Sequence, residues 1–150
     1  MKKIVKLYIK ENTTIEVLFN DGITKRYDCL SLADMYPKLN DLKNRDLFLT
    51  AKILGNSGIY WNDDLDLEGE TIYHDGEIVQ NSEPTINIIL GFRFKEERIK
   101  KGLSQKEVSL ISGIDQGDLS KIENGSANPT LLTISKLSKC LNKEINISLN

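Results

Sequence analysis

Few side chains of this 150-residue chain stand in patterns that could do chemistry. Asp63, Asp64 and Asp66 could offer oxygen ligands to a hard cation, but the twelve-residue spacing of a calcium loop is missing. The cluster therefore reads as a turn and helix cap ahead of Leu67-Glu68-Gly69-Glu70. His74 is the single histidine, and without a partnered Ser or Cys it makes no triad. Tyr60 and Trp61 read as core or partner-surface aromatics rather than a ligand cage. Cys29 and Cys140 lie far apart, with no Cys or His at metal-ligand spacing, and read as small buried apolar residues in a reducing compartment. No enzyme, no metal and no cofactor are expected.

What remains is the stretch 103–125, LSQKEVSLISGIDQGDLSKIENG. Two short helical runs, 105–112 and 116–124, flank a Gly113-Ile114-Asp115 corner. At helical spacing Val108, Leu119 and Ile122 face inward, and Ser109 is small where the helices press together. Gln116, Gly117, Ser120 and Lys121 face outward. A pair of this size holds its second helix in the major groove of DNA while the first crosses the backbone.

The surrounding elements must hold that pair in place. Residues 1–80 read as strands: Val5, Leu7 and Ile9 alternate with Lys6, Tyr8 and Lys10, and Ile15, Val17 and Phe19 with Glu16, Leu18 and Asn20. Asn20-Asp21-Gly22 is a tight-turn signal, and 23–28 completes a meander. A short helix is expected over 31–39, capped by Ser31 and weakened by Pro37. Strand character returns at 47–54 and 58–61, and 73–77 reads as a turn. The polar stretch 80–85 is the expected junction. Beyond it the period becomes helical, with helices at about 88–101, 105–112, 116–124 and 131–141. Ser104 and Glu107 form a capping box, Asp115 and Thr130 are caps, and Gly102, Gly113 and Gly125 are stops. Ile145, Ile147 and Leu149 alternate as a terminal strand over 144–149. The fold class is α+β: a small antiparallel sheet with a short helix over 1–80, a linker at 81–86, and an all-α unit with a terminal strand over 87–150.

Charge divides along the same line. Residues 1–84 carry 10 basic and 15 acidic side chains, whereas 85–150 carry 10 basic and 7 acidic. That asymmetry turns the carboxyl half toward a polyanion. No apolar run is long enough to cross a bilayer, and the Lys-rich start is no secretory signal, so a cytoplasmic protein without a membrane partner is expected.

Residues 90–141 resemble the Cro/C1-type (XRE-like) repressor domain. The resemblance rests on Arg98, Gly102-Leu103-Ser104-Gln105, Leu119-Ser120-Lys121-Ile122-Glu123-Asn124-Gly125 and Pro129. It implies a lambda-repressor-like fold with a partly buried Arg98–Glu123 ion pair between the first and third helices. It places Gln105 on a phosphate at a helix amino end, and Gln116 and Lys121 on adenine or guanine edges. Ser120 would serve base or phosphate, Asn124, Ser126 and Asn128 backbone oxygens, and Gly117 would leave a gap for DNA. Asp115, Asp118 and Glu97 depart from the family pattern. Residues 1–80 resemble the DUF2442 family through Phe19-Asn20-Asp21-Gly22, residues 60–67 and Thr71-Ile72-Tyr73. That implies a small α+β module of undefined activity, often encoded near toxin–antitoxin-type genes.

The combined expectation is a sequence-specific DNA-binding transcriptional regulator, a repressor and in its most concrete version the antitoxin of a toxin–antitoxin operon. It would bind a palindromic operator as a homodimer paired through 144–149, with a toxin, another protein or a ligand on the amino-terminal part. The competing use of that strand is to dock onto the amino-terminal sheet of the same chain. The alternative is a protein-interaction adaptor or ligand-responsive sensor whose helical domain no longer binds DNA, to which Asp115 and Asp118 would point.

Overall fold

The alternating stretches at the amino end become β1 (Ile4–Ile9), β2 (Thr14–Phe19) and β3 (Thr24–Asp28) in the computed structural model, which describes residues 2–79 and 86–148. All pair antiparallel, with Leu7 opposite Val17 and Val17 opposite Lys25. Gly22, at φ 88°, closes the second turn, and its N–H donates to the Phe19 carbonyl at 3.0 Å.

The helix expected over 31–39 does not form. Residues 29–35 are turns, and a 3-10 helix runs over Pro37–Lys43. Proline's fixed φ and missing N–H suit a first helical position, and they hold Tyr36 before it at φ −125°, ψ 80°. Pro37 therefore starts a helix instead of weakening one. The strand expected over 47–54 is also shortened, because Leu47 and Phe48 belong to α1 (Arg45–Phe48). There the Asn44 carboxamide oxygen caps the Asp46 and Leu47 N–H groups at 3.0 and 3.4 Å. Only β4 (Lys52–Leu54) remains extended, and it forms a second antiparallel sheet with β5 (Gly58–Asn62) and β6 (Leu65–Glu68).

Asp63 and Asp64 make the turn between β5 and β6. The Tyr60 hydroxyl donates to Asp63 at 3.0 Å, Lys38 reaches Asp64 at 3.5 Å, and Asp66 lies in β6 opposite Tyr60. The expected turn at 73–77 is instead the end of α2 (Gly69–Asp75) followed by β7 (Glu77–Ile78) on the far side of β3. Strand gives way to helix at Gly69 because its N–H donates to the Ser57 carbonyl at 2.7 Å, where a Cβ would come within 2.5 Å of that oxygen.

Ile4, Ile15, Val17, Phe19, Phe48 and Ile72 are fully buried in this unit, and the Trp61 indole donates to the Phe48 carbonyl at 3.1 Å. Burial pushes the Cys29 thiol up to about 12, which keeps it protonated and unreactive. Cys140 is half-buried, not fully enclosed.

The chain divides into two compact units, Met1–Glu83 and Pro84–Asn150. The expected junction at 80–85 lies outside the described residues, as does all of the 81–86 linker except Ile86, which opens a helix. The second unit consists of α3 (Ile86–Lys100), α4 (Gln105–Ser112), α5 (Gln116–Glu123) and α6 (Leu131–Cys140). Ser104 and Glu107 complete a reciprocal capping box, and Gly102, Gly113 and Gly125 take φ of 68°, 71° and 69°. Phe94, Val108, Leu119, Ile122, Leu137 and Leu141 form the core.

After α6 the chain turns at Asn142 (φ 50°), with the Lys143 N–H donating to the Ser138 carbonyl at 2.8 Å. The strand expected over 144–149 is not formed at 144–148, and Leu149 lies outside the described residues. A strand needs a ladder partner, and no described segment supplies one here. No helix among the described residues is long and apolar enough to cross a membrane.

Candidate nucleic-acid interface

The outer face of α5 is built from the core outward. Leu119 and Ile122 are buried, so Gln116, Gly117, Asp118 and Lys121 are left exposed, with Ser120 half-buried beside them. Two glycines let α3 lie directly against the carboxyl end of this helix. A Cβ on Gly91 would stand 2.0 Å from the Ile122 carbonyl oxygen, and one on Gly125 would stand 2.6 Å from the Ile88 Cα. Sequence reasoning treated Gly125 as a helix stop and passed over Gly91. The only signal was a glycine within a helical run, where it costs about 1 kcal/mol against alanine.

One carboxylate ties three elements together. Arg98 donates through Nε to Glu123 Oε1 at 2.6 Å and through Nη2 to Oε2 at 2.8 Å. Its Nη1 donates to the Leu103 carbonyl, also at 2.8 Å. The Glu123 side chain is 1% exposed. Gln105 Nε2 donates to the same carboxylate at 2.9 Å. An amide nitrogen carries two hydrogens, so one remains at the amino end of α4, where the exposed N–H groups favour an anion. The Gln105 contact with Glu123 was not legible in the sequence.

At the start of α5, Asp115 Oδ1 accepts from the Gly117 and Asp118 N–H groups at 2.8 and 3.3 Å. That carboxylate is therefore occupied as a cap. A Cβ at position 117 would stand 3.0 Å from it, so the cap favours a residue without a side chain here, alongside the gap for DNA expected from sequence. Lys121 reaches Asp118 at 3.2 Å, both side chains being well exposed. Pairs of this kind contribute only about 0–1 kcal/mol and exchange readily for another anion.

In the following loop Asn124 ends α5 and is exposed. Ser126 Oγ donates to the Lys121 carbonyl at 3.1 Å, and Asn128 Oδ1 accepts from Asn87. These bonds fix the loop against α3 and α5. Glu97 also has a use: it accepts from Lys100 at 2.6 Å and Lys143 at 2.8 Å, and those bonds lower its pKa to about 2.

Residues 94–147 match the helix-turn-helix family, and residues 4–77 match a family described as a protein of unknown function, DUF2442. An uncharacterised HTH-type transcriptional regulator of Sinorhizobium fredii, y4dJ, is 42% identical over 53 residues, which cover 35% of this chain and 69% of the relative. Another of Haemophilus influenzae is 32% identical over 78 residues, 52% of this chain and 76% of the relative. Among solved structures, the restriction-modification controller protein C.AhdI of Aeromonas hydrophila is 38% identical, with 37% of this chain and 83% of its own covered and a TM-score of 0.36. The chain belongs to the helix-turn-helix family of DNA-binding transcriptional regulators, with a DUF2442 region ahead of its helical unit.

Proposed function

We propose that the chain is a sequence-specific repressor that binds a palindromic operator as a dimer. In this reading α5 enters the major groove, and Gln116 and Lys121 read base edges. Gln105, Ser120, Asn124, Ser126 and Asn128 hold phosphates, and the glycine at 117 permits close approach. The observation that carries it is the α5 face itself, where Gln116, Gly117 and Lys121 stand exposed on a helix fixed by buried Leu119, Ile122 and Glu123. Two such faces about 34 Å apart would match half-sites one DNA turn apart.

Binding to a duplex from the protein's own upstream region should fall steeply with salt, as counterion release requires. Lys121→Ala should cost about 1–3 kcal/mol on the preferred duplex, as the loss of a base-edge contact does. Gln116→Ala should cost about 1–3 kcal/mol on the preferred duplex and little on a scrambled one. Fluorescence anisotropy over a salt series measures both. A flat salt response that neither variant alters would favour the adaptor.

The antitoxin version gives the amino-terminal unit, with its 15 acidic against 10 basic side chains over residues 1–84, the task of covering a toxin. Co-expression with the product of the adjoining gene should then yield one stable complex on gel filtration. Two proteins eluting separately would dismiss that version.

A further inference from the structure

A groove of about 810 Å³ runs between α3, α6 and the chain beyond α6. Phe94 is buried in it, whereas Leu131, Ile145 and Ile147 are 69%, 38% and 68% exposed. So much exposed aliphatic surface on one small helical unit marks a contact site. Three features say what covers it.

The first is charge. Of the charged residues lining the groove, Glu97 is paired with Lys143, and Glu96 has an interaction of its own. Arg93 and Glu144 have no side-chain partner among the described residues. One unpaired cation and one unpaired anion on the same groove are self-complementary: a two-fold axis gives each the other's counterpart in a second copy. The second feature is the chain beyond α6. The Asn142 turn and the Glu97–Lys143 bridge at 2.8 Å hold it against α3, yet its backbone over 144–148 joins no ladder. The same segment of a second copy supplies one. The third is that no lining residue comes from 103–125, so a partner seated here leaves the α5 face free for DNA.

We propose that this groove is the surface on which two copies of the chain pair, with Arg93 of each copy meeting Glu144 of the other. The proposal rests on the dimeric operator reading above and assigns it a surface and a charge pair.

Sedimentation equilibrium of the full chain tests it. Arg93→Glu and Glu144→Arg should each weaken dimerisation about tenfold or more, because each places like charges across the axis. The double variant Arg93→Glu/Glu144→Arg should return to within about threefold of the native chain, since every cross-pair is then restored with its sign reversed. Leu131→Asp should give monomers with unchanged helical circular dichroism. All three side chains are on the surface, so if Leu131→Asp fails to fold, the charge variants still decide. A dimer that persists through every variant, or a double variant weaker than both singles, overturns this surface while the dimeric reading survives. A native chain that remains monomeric both free and on DNA overturns both.

Discussion

Gly91→Ala should unfold the helical unit well below the native melting temperature. In an ordinary helix interior this exchange would stabilise by about 1 kcal/mol, so the expected sign is inverted here. The reason is the 2.0 Å separation between a Cβ at this position and the Ile122 carbonyl oxygen, with the Glu123 carbonyl carbon and oxygen only 3.1 Å away. These are backbone atoms of α5, and no rotamer change relieves the clash. Either α3 withdraws from α5, opening the core around Phe94, Leu119 and Ile122, or the helix is distorted. Overpacking of this kind costs about 1–3 kcal/mol and more where the neighbour cannot move. For a unit of this size that lowers the melting temperature by roughly 10 °C or more. Thermal circular dichroism of the full chain at 222 nm reads it. An unchanged or raised transition would mean that the two helices do not lie this close.

Glu123→Ala should cost about 3–5 kcal/mol, the range for breaking a buried charge pair by removing one partner. The Arg98 side chain is 11% exposed, so its guanidinium would keep only the Leu103 carbonyl and lose both carboxylate bonds. Gln105 would lose the bond that orients its amide. Urea unfolding of the variant measures the loss. Replacing both partners, as Arg98→Met/Glu123→Leu, should recover most of it, because an apolar pair leaves no stranded charge. A single substitution costing under about 1 kcal/mol would mean that the carboxylate is hydrated in solution.

The contrast between these two sites and the rest of the helical unit indicates which signals the sequence carries. The Ser104/Glu107 box and the Asp115 and Thr130 caps are local, since each side chain bonds backbone within three residues of itself, and the Gly102 and Gly113 stops need only a positive φ. Such signals can be read one residue type at a time, and the helix boundaries followed from them to within two residues. Gly91 is different in kind: its requirement is set by a backbone 31 positions away, and nothing near it in sequence announces that neighbour.

In the amino-terminal unit the hairpins were legible because alternation and the Asn-Asp-Gly turn agree. The errors cluster where one residue type has two uses. Pro37 can end a helix or begin one, and only the Tyr36 conformation decides between them. Asn44 can make a turn or cap a helix, and the capped helix took two residues from the expected strand. Gly76 reads as a turn glycine and Gly69 as part of a segment already capped before Leu67, but both are crowded against carbonyl oxygens of distant or preceding backbone and bracket a helix that starts only after β6. At the candidate site, the outward positions of Gln116, Gly117 and Lys121 follow from helical period. The occupation of Asp115, Ser126 and Asn128 by intramolecular bonds does not.

The amide chemical shifts of the full-length protein, titrated with a duplex from its own upstream region at moderate salt, show whether DNA seats on α5. The largest changes should fall on Gln105, on residues 116–121 and on Asn124, while residues 4–77 stay close to their free positions. Changes confined to the sheet unit, or to the groove around Leu131 and Ile147 with the α5 amides unmoved, would contradict that seating.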